Sequence, residues 1–196
     1  MFSINSNKIP GPDGYNYFFF KHCWDTVGGL VTEAVKEFFL TKELLKESNA
    51  TIISLILKVP NHSNMGEFKP ISCCNTVYKC ISKIISKRLQ VMLPDLIDLA
   101  QSAFVKGRKM SDNVLLTQDI LRDYHKTNGK PRVVAKVDII KAYNIVDWNF
   151  LNDLLCVLQF PPNVVSWIQE CMTTPRYSVN FYGEFIGYFP GKKGLS

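Results

Sequence analysis

The sequence lacks several features that would point at once to a membrane, secreted or zinc-dependent protein. None of its apolar runs approaches the roughly 18 residues that a membrane-spanning helix needs, so we expect no membrane partner. Its first residues do not show the basic and then apolar segments of a secretory signal. It has 3 histidines and no C-x-x-C motif, which argues against a structural zinc site.

Disulfide bonds are not expected either. The 6 cysteines follow no regular spacing, and a chain of 196 residues can bury a core without disulfides. We therefore expect reduced thiols and an intracellular, reducing compartment. Whether this is the nucleus or the cytoplasm stays open, because no basic cluster is dense enough to serve as a targeting signal.

The composition is that of a soluble globular protein, with 46% hydrophobic and 20% charged residues. Lysine and arginine total 23 against 17 acidic residues, which gives a formal net charge of +6. This excess permits a polyanionic partner such as nucleic acid, but it does not require one.

Hydrophobic periodicity predicts both helices and strands. The predicted helices cover 24–46, 76–93, 111–126, 147–158 and 164–172; the predicted strands cover 51–58 and 133–139; a hairpin covers 177–189 and turns near Gly183. We expect a turn at 10–14 and a loop over 61–70. Pro94 is expected to end the second helix, Ser111 or Asp112 to cap the third, and Asp147 to cap the fourth.

Lys79, Lys83 and Lys87 recur at helical spacing on the side opposite to the apolar face of the helix predicted over 76–93. A lysine stripe of this kind is usually a solvated surface. Contact with the phosphates of a nucleic acid is the alternative.

Asp138 stands near the end of the strand predicted over 133–139, where hydrophobic or β-branched residues are expected. From the residues alone, two interpretations stay open. The carboxylate is either solvated or paired with Lys136 or Lys141, or it binds a metal ion.

Short motifs follow one another along nearly the whole chain. They are Pro-Gly-Pro-Asp-Gly at 10–14, Leu-Ile-Leu-Lys-Val-Pro at 55–60, Phe-Lys-Pro-Ile-Ser-Cys-Cys-Asn at 68–75, Gln-Ser-Ala-Phe-Val-Lys-Gly-Arg at 101–108, Lys-Val-Asp at 136–138 and Gly-Leu at 194–195. In this order they resemble the reverse transcriptase of non-LTR (LINE-type) retrotransposons, and most closely its plant members.

The resemblance implies an α+β fold of the right-hand polymerase class, with a fingers subdomain over 1–130 and a partial palm subdomain over 131–196. It also implies RNA-directed DNA polymerisation, in which the 3′-hydroxyl of a DNA primer is joined to a deoxynucleotide triphosphate on an RNA template. Two divalent ions, Mg²⁺ or Mn²⁺, take part in the family, because the transition state gathers negative charge on phosphate oxygens.

The resemblance also assigns roles to individual residues. Asp138 is the catalytic, metal-binding aspartate, and the backbone carbonyl of Ile139 is a further ligand. The backbone amides of Lys141 and Ala142 face the triphosphate. Tyr143 is at the steric gate, where an aromatic ring excludes a ribose 2′-hydroxyl; a core tyrosine is the alternative.

Four other basic residues are implied to contact substrates. Lys58 and Lys69 match fingers positions that approach the triphosphate or the template. Position 69 is usually Arg in the family, and a lysine there keeps the charge but loses the bidentate fork. Lys106 and Arg108 flank Gly107 and are expected at the template or primer backbone, as is the lysine stripe. Surface charge without a ligand is the alternative.

The sequence departs from the family pattern at the expected site. Asn144 stands where the family commonly has Asp, and no Asp-Asp pair occurs in the sequence. We therefore expect a domain truncated before the Asp-Asp hairpin, which holds Mg²⁺ weakly and does not polymerise alone. A non-catalytic nucleic-acid-binding remnant and an inert decay product are the alternatives, and a second chain that completes the palm stays open.

Overall fold

The computed structural model describes residues 1–58, 60, 64–122, 133, 135–139, 141–181 and 183–195. The chain divides into two compact units. The first comprises Met1–Ile85 and Lys141–Ser196, and the second comprises Ser86–Ile140.

A four-stranded mixed sheet lies in the first unit. Its strands are β1 (Ala50–Leu57), β2 (Phe68–Cys74), β3 (Arg176–Phe181) and β4 (Glu184–Pro190), in the order β2-β1-β3-β4. β1 runs antiparallel to β2 and parallel to β3, and β3 runs antiparallel to β4. This mixed architecture is compatible with the expected α+β class.

The strand predicted over 51–58 and the hairpin predicted over 177–189 are confirmed. The loop predicted over 61–70 is wrong at its C-terminal end, because β2 begins at Phe68. Pro70 suggests a loop in the sequence, yet β2 is at the edge of the sheet, where a residue without an N–H is tolerated.

The described part of the chain contains seven α-helices. They are α1 (Tyr17–His22), α2 (Trp24–Thr41), α3 (Thr76–Leu96), α4 (Met110–Leu121), α5 (Ala142–Ile145), α6 (Trp148–Val157) and α7 (Pro162–Thr173). α1 and α5 are additional to the predicted helices. None of the helices in the described ranges has the length and apolar character that crossing a bilayer demands.

The predicted cap of α6 is confirmed. The carboxylate of Asp147 accepts hydrogen bonds from the backbone N–H groups of Asn149 and Phe150 at 2.8 and 3.0 Å. An aspartate at this position satisfies backbone donors that have no partner within the helix.

Three other predicted helix boundaries are wrong. α2 ends at Thr41, before the end predicted at residue 46. α3 continues past Pro94, which falls in its last turn, although a proline at this position cannot donate the helical hydrogen bond to the carbonyl four residues earlier. α4 begins directly after Lys109, whose backbone is extended, so neither Ser111 nor Asp112 is the N-cap. The helix predicted to continue over 123–126 lies outside the described residues there.

Buried hydroxyl and thiol groups contribute to the core of the first unit. The Tyr78 hydroxyl in α3 donates to the carbonyl oxygen of Cys171 in α7 at 2.8 Å. Burial raises the pKa of the Tyr78 hydroxyl, and it raises the pKa of the Cys171 thiol from 9.0 to about 12. Both groups therefore stay neutral at physiological pH, as an apolar core requires. All 6 cysteines are free thiols, as predicted.

Contacts between α2 and α7 position the chain just before β3. The indole N–H of Trp167 donates to the carbonyl of Phe39 at 3.2 Å, and the two rings meet edge to face with centroids 4.9 Å apart. The N–H of Leu44, just after α2, donates to the carboxylate of Glu170 at 2.9 Å.

The turn predicted at 10–14 is confirmed, and Asn75 holds it. The N–H of Gly14 donates to the carbonyl of Gly11 at 3.0 Å. The side-chain oxygen of Asn75 accepts from the N–H of Asp13 at 3.2 Å, while its amide group donates to two carbonyls just before β1. Gly11 lies so close to Asn75 that a larger residue would overlap with it.

In the second unit, the guanidinium of Arg108 closes the loop that follows α3. It donates to the carbonyl oxygens of Pro94, Ile97, Asp98 and Gln101 at distances between 2.5 and 3.0 Å. Carbonyls at the end of a helix lack helical partners, and the helix dipole favours a cation there. Arg108 therefore acts as a C-terminal cap for α3.

The substitution Arg108→Lys should lower the free energy of unfolding by about 1–3 kcal/mol, because one ammonium group cannot reach four carbonyls at once. Urea denaturation followed by circular dichroism measures this. Lys106→Ala is the control, since Lys106 is exposed nearby and its loss should cost less than about 0.5 kcal/mol. Equal costs for the two variants would contradict the capping role.

Candidate functional site

Three hydrogen bonds join the region of α5 to the segment 191–195, and this junction is the centre of the candidate site. The N–H of Leu195 donates to the carbonyl of Tyr143, and the N–H of Gly194 donates to the carbonyl of Val146, both at 2.8 Å. The indole N–H of Trp148 donates to the carbonyl of Gly194 at 2.8 Å. Residues next to the Lys-Val-Asp motif are thereby held against the distant Gly-Leu motif.

The junction depends on two residues with left-handed backbone. Lys141 has φ 54° and ψ 42°, and its carbonyl accepts from the N–H of Asn144 at 2.8 Å. Gly194 has φ 87°, and a Cβ there would lie 2.8 Å from the carbonyl oxygen of Asn144. Glycine is needed at 194 both for its backbone conformation and for this close approach.

A cleft of about 580 Å³ opens beside the junction. One face of the sheet contributes Ile53, Pro70, Ser72, Tyr177 and Phe189 to its lining, and the rest comes from Asn144 and residues 190–195. The strand register agrees with a lining from one face of the sheet. Ile53 pairs with Ser72 across β1 and β2, and Tyr177 pairs with Phe189 across β3 and β4.

The cleft is cationic. Lys192 and Lys193 line it and are exposed, whereas none of the described residues that line it is acidic. Asn144 adds an amide that can donate and accept hydrogen bonds without carrying charge. Two ammonium groups beside neutral polar walls suit a ligand that bears phosphate.

Asp138 and Ile139 belong to the second unit and are exposed. The strand predicted over 133–139 is wrong wherever the structure describes it, because residues 133 and 135–139 have no regular secondary structure. Alternating apolar residues form a strand only where a neighbouring strand takes up the backbone hydrogen bonds. The described strand ladders include no partner for this stretch.

The described residues do not form a complete divalent-metal site. Mg²⁺ takes several oxygen ligands in a defined geometry. Across the described ranges, no three histidine, cysteine, aspartate or glutamate side chains are grouped so that they could hold a metal ion. Asp138 and the carbonyl of Ile139 would supply only part of such a ligand set.

The residues expected at the triphosphate and the steric gate lie at the junction. Lys141, Ala142 and Tyr143 are all exposed. Tyr143 is 55% exposed, so the alternative of a core tyrosine is wrong. The cleft lining includes the next residue, Asn144, rather than these three.

Lys58 and Lys69, the two lysines expected in a fingers subdomain, lie at one end of the β1–β2 pair. The ammonium of Lys58 donates to the carbonyl of Gly66 at 2.9 Å. Lys69 is exposed and faces Ile56 in the ladder. Neither lysine is among the residues that line the cleft.

The remaining basic residues differ in whether their side chains make hydrogen bonds within the protein. The ammonium of Lys79 donates to the carbonyl of Ile9 at 2.8 Å and lies 6.0 Å from the centroid of the Tyr17 ring. Arg108 caps α3, as described above. The exposed members are Lys83, Lys87 and Lys106. Contact of any of these residues with nucleic acid stays a prediction.

The sequence analysis misses Lys192 and Lys193, although they line the cleft. The available signal is their position directly before the Gly-Leu motif. Lysine pairs are common on surfaces, so this signal becomes specific only when the junction with α5 is known.

Gly194→Ala should destabilise the protein more than Gly183→Ala does. Both glycines have positive φ, of 87° and 91°, but a Cβ at 183 would meet nothing within 4 Å. Gly183→Ala should therefore cost about 1–2 kcal/mol, the penalty for left-handed backbone. Gly194→Ala should cost at least about 1 kcal/mol more, because the chain must also move away from Asn144. Urea denaturation of both variants tests this, and equal costs would contradict the close approach.

Comparison with known proteins agrees with the order of the motifs. Residues 57–195 match the family model described as reverse transcriptase (RNA-dependent DNA polymerase). The chain is 32% identical over 179 residues to the transposon TX1 uncharacterized 149 kDa protein of Xenopus laevis, an alignment that covers 88% of this chain and 14% of that protein. It is 24% identical over 127 residues to the retrovirus-related Pol polyprotein from type-1 retrotransposable element R2 of Bradysia coprophila, covering 65% of this chain and 14% of that protein.

The chain thus spans 14% of the length of each of these relatives. The expected resemblance to plant members stays a prediction. The family match covers most of the chain and includes the residues on both sides of the junction. The chain therefore belongs to the reverse transcriptase family, as a domain of the kind found in non-LTR retrotransposon proteins.

Proposed function

We propose that this chain forms part of an RNA-directed DNA polymerase and supplies the surface that receives the incoming deoxynucleotide. The observation that carries the proposal is the cationic cleft at the junction of α5 with 191–195, whose lining residues other than Ile53 lie within the family match. Reverse transcriptases act on an RNA template and a DNA primer, and this family relationship supports the same substrates here.

In this proposal, residues 1–130 act as fingers and residues 131–196 as the beginning of a palm. Lys58 and Lys69 approach the triphosphate or the template from the fingers. The exposed ends of both side chains at the β1–β2 pair are consistent with that role.

Asp138 and the carbonyl of Ile139 are proposed as part of a metal centre. Reverse transcriptase domains use divalent metal ions, which stabilise the negative charge that develops on phosphate oxygens. The exposed carboxylate of Asp138 is open to such an ion. A lone carboxylate cannot fix two ions, and the described residues contain no group of three metal-binding side chains, so polymerisation requires further acidic ligands.

Tyr143 is proposed as the steric gate. Its ring is exposed, and its carbonyl is fixed by the N–H of Leu195 at 2.8 Å. A ring on a fixed backbone can exclude a 2′-hydroxyl by shape, whereas a mobile one could move aside. The backbone amides of Lys141 and Ala142 are proposed to face the triphosphate.

Tyr143→Ala should reduce the preference of the chain for dUTP over UTP by about ten- to hundredfold, because the ring that excludes the 2′-hydroxyl is removed. Competition binding with a fluorescent nucleotide measures both affinities. Tyr143→Phe is the matched control, since it keeps the ring and should keep the preference. An unchanged ratio in Tyr143→Ala would overturn the gate assignment and the nucleotide-binding proposal with it.

Non-catalytic binding of nucleic acid is a second candidate function. The net charge of +6 and the exposed Lys83, Lys87 and Lys106 favour it. Affinity would then arise from the release of counterions and would fall steeply as salt rises.

Residues 1–196 alone should not extend a DNA primer on an RNA template with Mg²⁺ or Mn²⁺, because Asp138 cannot hold two metal ions. The same protein should retain the primer–template on a filter, and retention should fall as salt rises. Extension by the chain alone would contradict the expected catalytic incompleteness. A flat response to salt would contradict nucleic-acid binding.

A further inference from the structure

The side chain of Trp148 meets the segment 191–195 at two places. Its indole N–H donates to the carbonyl oxygen of Gly194 at 2.8 Å. At the other end of the indole, a Cβ placed on Gly191 would lie 3.2 Å from Cη2 of Trp148, so the six-membered ring lies against Gly191. One indole therefore spans the two lysines of the cleft, from the glycine before them to the glycine after them.

Trp148 does not have the surroundings of a core residue. It is half-buried, and the only buried residue of α6 is Leu155. Trp148 is the first residue of this helix and directly follows the Asp147 cap. Because a cap fixes the backbone at the start of a helix, the indole extends towards 191–195 from a firmly held position.

The hydrogen bond at Gly194 continues to Tyr143 through a single peptide group. The carbonyl of Gly194 and the N–H of Leu195 belong to the same planar trans unit. The indole of Trp148 donates to the oxygen of this unit, and the N–H of the unit donates to the carbonyl of Tyr143, both at 2.8 Å. Since the unit is rigid, fixing the direction of its oxygen also fixes the direction of its N–H. Two hydrogen bonds in series through one amide also strengthen each other.

The segment needs such a support from outside. Residues 191–195 have no regular secondary structure, and Lys192 and Lys193 are exposed neighbours of like charge. Gly194, in contrast, is buried, so loss of the indole donor would deprive a buried carbonyl of its hydrogen bond with Trp148. Leaving a buried acceptor without its donor is costly, so the peptide group would turn to find another one.

We propose that Trp148 is a positioning residue for Tyr143 and acts through the peptide group between Gly194 and Leu195. The indole holds this group so that its N–H meets the carbonyl of Tyr143, and the ring of Tyr143 is thereby attached to a fixed backbone. The inference rests on the proposed function in taking Tyr143 as the gate. It assigns a part in nucleotide selection to a residue that is not among those lining the cleft.

The effect on the peptide group is tested with Trp148→Phe, which removes the indole N–H and keeps an aromatic ring. In hydrogen exchange measured by NMR on residues 1–196, the Leu195 N–H should exchange about tenfold faster than in the parent chain, because its bond to Tyr143 opens more often. Trp167→Phe is the matched control, since it also removes an indole donor to a backbone carbonyl, that of Phe39. It should leave the exchange rate of Leu195 unchanged.

The effect on the gate is measured by competition between nucleotides. Trp148→Phe should lower the preference for dUTP over UTP by about three- to tenfold, less than Tyr143→Ala does, because the ring of Tyr143 is displaced rather than removed. Trp167→Phe should keep the ratio of the parent chain. A purely structural role of Trp148 would lower the melting temperature and leave this ratio unchanged.

Replacement of Trp148 by benzothienylalanine is the second variant. A sulfur atom stands where the indole has its N–H, so the donor is lost while the ring keeps almost its full size and no cavity forms. The same faster exchange and the same lower preference are expected. This variant decides the result if Trp148→Phe does not fold.

An unchanged exchange rate of Leu195 in the folded Trp148 variants would overturn the positioning role. Faster exchange with an unchanged ratio of dUTP to UTP affinity would also overturn it. Failure of the proposed function gives a different result, in which Tyr143→Ala keeps the ratio of the parent chain or the parent chain binds neither nucleotide. In that case, the exchange rates alone decide whether Trp148 fixes the backbone of Tyr143.

Discussion

The candidate site depends on the hydrogen bonds between the backbone around α5 and the segment 191–195. Leu195 bonds to Tyr143, and Gly194 bonds to both Val146 and the indole of Trp148. These bonds fix the position of the Tyr143 backbone, and they close one side of the cationic cleft. Without them, nothing described would hold the region of α5 against the segment 191–195.

Two residues expected to contact nucleic acid also stabilise the protein itself. Arg108 satisfies carbonyls at the end of α3, and Lys79 ties α3 to the N-terminal segment through the carbonyl of Ile9. Long basic side chains frequently combine structural contacts with a charged surface. A basic residue therefore needs its hydrogen-bond partners examined before it is assigned to a ligand.

Local pattern predicts those elements whose stabilising contacts are local or periodic. Short stretches of sequence are enough to predict the Asp147 cap, the hairpin turn near Gly183 and the apolar face of α3. β2 is missed because Pro70 resembles a loop signal when its edge position is unknown. The stretch 135–139 has a strand pattern but no neighbouring strand among the described ladders.

The local sequence pattern predicts the candidate site less well than it predicts the fold. The sequence does not link the region of Tyr143 to Gly194, because no periodicity connects residues so far apart. The αL backbone of Lys141 and the close approach at Gly194 are set by tertiary contacts. The same contacts place Lys192 and Lys193 at the cleft, so their role cannot be predicted from the sequence around them.

The parallel pairing of β1 with β3 has a consequence for how the chain folds. β1 and β2 are close in sequence and can associate early, but β3 joins them only after the intervening helices have been made and brought into place. Pairings between remote segments slow folding, because the loop between them must be closed before the contacts contribute. During synthesis on the ribosome, one edge of β1 therefore stays uncovered for most of the time that the chain is emerging, and it is then open to pairing with other nascent chains.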